Sequence, residues 1–261
     1  MRWSAWWLAV VVPMSAWAGG EPCAAAKDPK HACDAKATAD ACLKAGDALV
    51  AIAGCREAAL ERYQAACDRK ALRGCSKLAF RLVQTSREKD VVAKAIGLFT
   101  RACDGGDALG CSNLASFYWD GEGVPKDVKK SAQLSQKACD AGDAFACGTL
   151  GSLWAQGELG AKDASKAVPL FKRACEGGSA SGCNQLGNAT AAGFGVEKSL
   201  DGAMTWWTKA CEGGNGAGCT NAGRYLRKKG DDKRADKAFA RACRLGDDEG
   251  CSERGFAPPE E

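Results

Sequence analysis

Apolar and small residues recur three and four places apart along most of this chain. Cys111, Leu114, Ala115 and Tyr118 form one such stripe, and Gly121-Glu-Gly-Val-Pro125 interrupts it. A second run passes through Ser131, Leu134 and Ala138 to Cys139. Both spacings are helical, and Asp107 and Asp127 stand where N-caps belong. Gly142 suits the left-handed position just past the second helix, and Asp143 can cap the next one. The pattern predicts two helices joined by a glycine-rich loop, then a tight corner into the following pair.

The pattern repeats. Gly106, Gly142, Gly178, Gly214 and Gly246 each precede a capping candidate: Asp107, Asp143, Ser179, Asn215 and Asp247. Asp90, Asp163 and Ser199 are expected to cap second helices as Asp127 does. Leu78, Leu114, Leu150 and Leu186 recur in the first helix beside Ala79, Ala115, Gly151 and Gly187, small residues that let helices approach closely. Tyr63, Phe99, Phe171, Trp207 and Phe239 recur in the second helix, and Ser135 breaks that series. Pro169 falls inside a second helix, where it removes a backbone donor and is expected to bend the helix. A fixed period means stacked equivalent units, so the fold class is an all-α solenoid of antiparallel helix pairs.

Cysteine marks the period. Six pairs have seven residues between their members: Cys67 and Cys75, Cys103 and Cys111, Cys139 and Cys147, Cys175 and Cys183, Cys211 and Cys219, Cys243 and Cys251. The first member always follows alanine. It ends one helix and the second opens the next, so a tight corner can bring each pair within disulfide reach, one disulfide per repeat. Closing so short a loop contributes roughly 2–3 kcal/mol in the chain-entropy account. Cys33 and Cys42 read as a degenerate pair with one extra residue between them. That leaves Cys23 for Cys55, with Cys23–Cys33 as the alternative. Zinc sites prefer cysteines two to four residues apart or joined by histidine, and His31 is the single histidine of the sequence. No metal and no cofactor is expected.

Arg2, the apolar run Ala5–Met14 and Ala16-Trp17-Ala18 form a secretory signal, with cleavage expected after Ala18. The run falls short of the ~20 residues a membrane span needs. Export with 16 cysteines points to an oxidising compartment, periplasmic or extracellular. The formal net charge of +4 is too small to imply a nucleic-acid partner.

The recurring string Gly-Cys-Ser-Asn-Leu-Ala (110–115), Tyr118, Gly121-Glu-Gly-Val-Pro-Lys-Asp (121–127), Lys137-Ala-Cys (137–139) and Gly142-Asp143 resembles the Sel-1-like repeat family, a relative of the tetratricopeptide repeats. The paired cysteines are similar to its secreted, cysteine-rich branch. The resemblance covers roughly residues 33–254, after a signal at 1–18 and a segment at 19–32, and leaves a tail at 255–261. It implies a right-handed superhelix whose first helices line a concave face. It also implies an adaptor that binds another protein or an extended peptide, and the chain is expected to act as a monomer. On that geometry the face carries Asn113, Thr149, Gln185 and Asn221, then Ser116, Ser152, Asn188 and Arg224, with Trp119 beyond them. Amides and hydroxyls there can hydrogen-bond a peptide backbone. Arg224, with Arg227, Lys228 and Lys229, makes one end basic and able to hold a carboxylate.

Members of the cysteine-rich branch have also been linked to β-lactams, which makes a penicillin-binding or β-lactamase-like hydrolase the alternative function. Serine enzymes of that kind combine Ser-x-x-Lys with Ser-Asp-Asn and Lys-Thr-Gly elements. This chain has Ser86-Arg-Glu-Lys89 in an inter-helix stretch and lacks the other two elements. No catalytic residue is therefore expected.

Overall fold

The computed structural model describes Cys23 and residues 33–253. The expected signal, His31 and the tail lie outside the described residues. Every described element is helical. The chain divides into two compact units, one up to Gly74 and one from Cys75.

In the first unit α1 (Ala39–Val50) packs against α2 (Arg56–Asp68). Thr38 caps α1 by accepting from the Ala41 backbone N–H. Tyr63 is buried over Gly46, where a Cβ would lie 2.6 Å from the ring. Its hydroxyl donates to Asp47 at 2.8 Å. Disulfides join Cys33 to Cys42 and Cys23 to Cys55, with Cα atoms 4.9 and 4.7 Å apart. The alternative pairing of Cys23 with Cys33 is not the one formed. The Arg69 guanidinium donates to the Asp34 carbonyl and lies 3.1 and 3.0 Å from the two sulfurs of Cys33–Cys42.

The second unit continues from α3 (Leu72–Thr85) through α4 (Lys89–Asp104), α5 (Ala108–Asp120), α6 (Val128–Asp140), α7 (Ala144–Gln156) and α8 (Ala164–Glu176). After these come α9 (Ala180–Ala192), α10 (Leu200–Glu212), α11 (Gly216–Lys228), α12 (Asp232–Arg244) and α13 (Asp248–Glu253). From α4 onward each helix packs on the next, and α9 also touches the flanking first helices α7 and α11. The caps supply acceptors for the backbone donors that a helix start leaves open. Asp107, Asp143, Ser179 and Asn215 each accept from the N–H three residues on, as do Asp127, Asp163 and Ser199. Gly142 adopts φ +92° and donates to the Cys139 carbonyl, which ends α6.

Asp90 does not cap α4, contrary to expectation. The linker after α3 is three residues long, Ser86 accepts from the Glu88 N–H, and the helix begins at Lys89. Asp90 therefore lies in the first turn, where its charge still suits the helix dipole. Pro169 stays within α8 on an exposed face.

Five corners of this unit are closed by disulfides: Cys103 to Cys111, Cys139 to Cys147, Cys175 to Cys183, Cys211 to Cys219, and Cys243 to Cys251. Their Cα atoms stand 4.4–4.7 Å apart, within the range that the bond requires. Cys67 and Cys75 are also disulfide-bonded. The alanine before each first cysteine now has a reason. A Cβ on Gly182, next to Cys183, would fall 2.4 Å from that of Ala174. Gly218, next to Cys219, meets Ala210 in the same way, and Gly110 and Gly250 meet Ala102 and Ala242. At the Cys139–Cys147 corner Ala146 stands at the glycine's place and the Cα atoms are 4.7 Å apart. The corner thus admits a methyl group there, and a residue larger than alanine before the first cysteine would press on this close approach.

Candidate functional site

Helices α5, α7 and α9 present a cavity of about 330 Å³. Ser116, Trp119 and Asp120 of α5 line one side, and Phe145, Thr149, Ser152, Leu153 and Gln156 of α7 another. Ser131 of α6, Gly148 of α7, and Ser179 and Ser181 at the head of α9 complete it. The repeat itself explains why the space lies here. In two other repeats the residue after the second cysteine reaches the acidic cap of the next repeat. Ser76 Oγ donates to Asp107 at 2.6 Å, and Thr220 Oγ1 to Asp247 at 2.8 Å. Here Gly148 and Ser179 stand at those two places. Two side chains are shortened together, and the space is left open.

The hydroxyls point their protons inward. Ser116, Thr149 and Ser152 donate to the carbonyls of Ser112, Phe145 and Gly148, each four residues back on its own helix. Their lone pairs remain as acceptors, although Ser152 also accepts from Gln185 Nε2 at 3.1 Å. The Ser131 hydroxyl is fully buried and has no partner among the described residues. Asp120 is exposed and makes no ion pair among them. It supplies the one formal charge of the lining. Two aromatic rings add apolar surface, Trp119 and the 61% exposed Phe145.

Four of the nine residues expected on a binding face, Ser116, Trp119, Thr149 and Ser152, thus meet around one cavity. The other five have partners within the chain. The Asn113 amide donates to the Leu109 carbonyl at 2.8 Å. Gln185 holds Ser152, and Asn221 donates to both Asn184 and Asn188. Asn188 also accepts from the indole of the buried Trp207 at 2.9 Å. Arg224 pairs with Glu253 and Glu249, and the Glu253 hydrogen bond foremost holds its guanidinium above the ordinary range.

Arg227 and Lys229 of the basic end are similarly engaged. Arg227 meets Glu253 and Asp236. Lys229 and the Tyr225 hydroxyl both meet Asp201. The Tyr225 hydrogen bond and then the Lys229 contact hold the Asp201 carboxyl below its usual value.

These partners give Asn188 a structural role. Asn188→Ala is expected to destabilise the unit by about 1–3 kcal/mol, because it orphans a buried indole N–H. Equilibrium urea unfolding measures this, and an unchanged midpoint would refute it. Asp120, Ser131, Phe145, Gly148 and Ser179 are lining residues that were not expected from the sequence. The readable signal was the departure of Gly148 and Ser179 from the hydroxyl and aspartate found at those places in other repeats.

Ser86 of the Ser-x-x-Lys tetrapeptide serves the α3–α4 turn through its bond from Glu88. Among the described residues no cluster of ligands suited to a metal occurs, and no helix is long and apolar enough to cross a membrane.

No curated protein matches the chain. Solved structures do. A protective antigen of uropathogenic Escherichia coli with an SLR fold is 24% identical over 85% of this chain, with a TM-score of 0.67. This chain spans about half of that one, 51%. A Sel1 repeat protein from Oxalobacter formigenes is 22% identical over 84% of this chain and 94% of its own, with a TM-score of 0.68. Cysteine-rich protein B of Helicobacter pylori is 30% identical over 50% of this chain and 94% of its own, with a TM-score of 0.41. The family model described as Sel1 repeat matches four times in tandem, at residues 74–107, 108–143, 148–179 and 180–215, and the chain belongs to the Sel1 repeat family.

Proposed function

We propose that the chain is an extracytoplasmic scaffold that takes an extended segment of a partner protein on the α5–α7–α9 face. Sel1 repeats generally mediate protein–protein interaction. The bonded cysteines fit an oxidising compartment, in keeping with the secretory signal expected at residues 1–18. The observation that carries the reading is the cavity, because Ser116, Trp119, Thr149 and Ser152 of the expected face surround it. Outward lone pairs on these hydroxyls can receive backbone N–H groups. The volume is at the lower end for ligand sites, about 300–1,000 Å³, and suits one anchoring side chain. β-Lactams carry a carboxylate, and the single charge of the lining is also a carboxylate, which argues for the scaffold over the hydrolase.

Thr149→Trp tests the reading. Residue 149 is half-buried on the cavity wall, so an indole there fills the space from the outer face of the helix. Oxidised wild type and variant would be used side by side to capture partners from an envelope extract. A protein retained by the wild type and lost at least about tenfold by the variant, at matched thermal stability, is the expected result. Equal retention by both would refute groove binding.

A further inference from the structure

We propose that the cavity between α5 and α7 is a subsite for an arginine side chain of the partner segment. The inference rests on the groove reading and names the chemistry of its anchor. Three observations support it. The lining offers acceptors and negative charge: the hydroxyl oxygens of Ser116 and Thr149 have their protons committed to backbone carbonyls, and Asp120 has no cation among the described residues. A guanidinium has five donors and no acceptor, so it complements such a wall, whereas an acidic or acceptor-only side chain does not.

Ser131 provides the second observation. Its hydroxyl is buried without a partner while lining the cavity. Such a group costs stability unless a partner arrives, and a donor N–H in the cavity, met by a turn of the Ser131 side chain, would satisfy it. Ser135, one turn further along α6, is also buried and unpartnered but does not line the cavity, which makes it a control.

The third observation is aromatic. Trp119 and Phe145 offer ring faces on which a guanidinium stacks. This unit already places cations on its rings: Lys126 Nζ lies 4.9 Å from the Trp119 centroid and Lys166 Nζ 3.8 Å from that of Trp154. Lys126 therefore competes with an incoming cation for Trp119.

The test uses neutral-capped single residues and the full oxidised protein, followed by NMR. N-acetyl-arginine amide is titrated beside N-acetyl-citrulline amide, its uncharged near-isostere, and N-acetyl-lysine amide. Saturable shifts at the Trp119 indole and the Thr149 amide are expected for arginine. Citrulline should bind at least about fivefold more weakly, and lysine in between. Asp120→Asn should remove the arginine–citrulline difference, Ser131→Ala should weaken arginine binding, and Lys126→Met should strengthen it. Ser135→Ala should leave binding unchanged.

Ser131→Ala and Ser135→Ala each remove an unpaired hydroxyl, so neither threatens folding. Shifts of equal size for arginine and citrulline would overturn the charge assignment and leave groove binding to the Thr149→Trp capture. An arginine preference untouched by Asp120→Asn, or no shift at the lining residues, would overturn the subsite itself.

Discussion

Full reduction of the disulfides is expected to unfold the protein at ordinary temperature. The core is built from small side chains. Among the described residues alanine and cysteine recur through the buried set, between larger side chains such as Phe99, Phe171, Trp207 and Phe239 that come about one to a repeat. Such a core removes little apolar surface per residue, and each repeat depends on its neighbours. Of the eight disulfides, those at the helix corners close loops short enough to contribute roughly 2–3 kcal/mol apiece, and Cys23–Cys55, with a separation of 32 residues, somewhat more. Even with large losses to non-additivity, their sum exceeds the net stability of about 5–15 kcal/mol typical of a domain.

Circular dichroism at 222 nm, with and without a strong thiol reductant, measures the effect directly. The oxidised protein should melt cooperatively, and the reduced protein should lose most of its helical signal at 25 °C. A reduced protein that keeps its helicity and melts within a few degrees of the oxidised one would show that packing alone suffices. A single-corner variant, Cys139→Ala with Cys147→Ala, should cost about 2–3 kcal/mol.

The architecture was readable because its determinants are local. Asp107, Asp127, Asp143, Asp163, Ser179 and Ser199 each act on an N–H three residues away, and Gly142 acts on its own φ. The corner pairs Cys175 with Cys183 and Cys211 with Cys219 are local too, each spanning a separation of eight residues. No fold-level knowledge is needed to place them. Asp90 misled because a shorter linker moves the start of α4, and linker length acts through tertiary packing of α3 and α4. The alanine before every first cysteine was visible as a pattern, yet its cause lies in contacts such as Ala174 with Gly182, across a corner.

The candidate site was legible only in part. Helical position groups Ser116, Trp119, Thr149 and Ser152 on one face, and these four do line one cavity. Helical position cannot say whether a side chain is already occupied, and Asn188 and Arg224 find partners 19 and 29 residues away. Ser131 is the opposite case. Among second-helix positions it reads as an ordinary small polar residue, and its importance comes from having no partner once buried.

Alanine is expected to have opposite effects at two glycines in the same repeat frame, and the difference tests how the helix pairs close. In isolation a helix gains about 0.5–1 kcal/mol when an interior glycine becomes alanine. Gly148→Ala should show that gain, because its Cβ would meet nothing nearer than the Ala174 Cβ at 3.6 Å. Gly223→Ala should lose about 1–3 kcal/mol. Its Cβ would lie 2.7–2.9 Å from three atoms of the Phe239 ring. That ring is fully buried and has the Arg227 guanidinium 4.4 Å from its centroid, so it has little room to move.

Phe239→Ala removes the same contact from the other side and should cost about 3–5 kcal/mol by leaving a cavity. In the double variant the new methyl group enters that cavity, so the combined loss should fall short of the sum by about 1 kcal/mol or more. Urea unfolding of the three variants beside Gly148→Ala completes the comparison. The expectation would be sunk by a Gly223→Ala protein as stable as wild type, or by strictly additive losses. Either outcome would mean that α11 and α12 approach each other with slack, and that glycine at 151, 187 and 223 is not what sets the spacing of each helix pair.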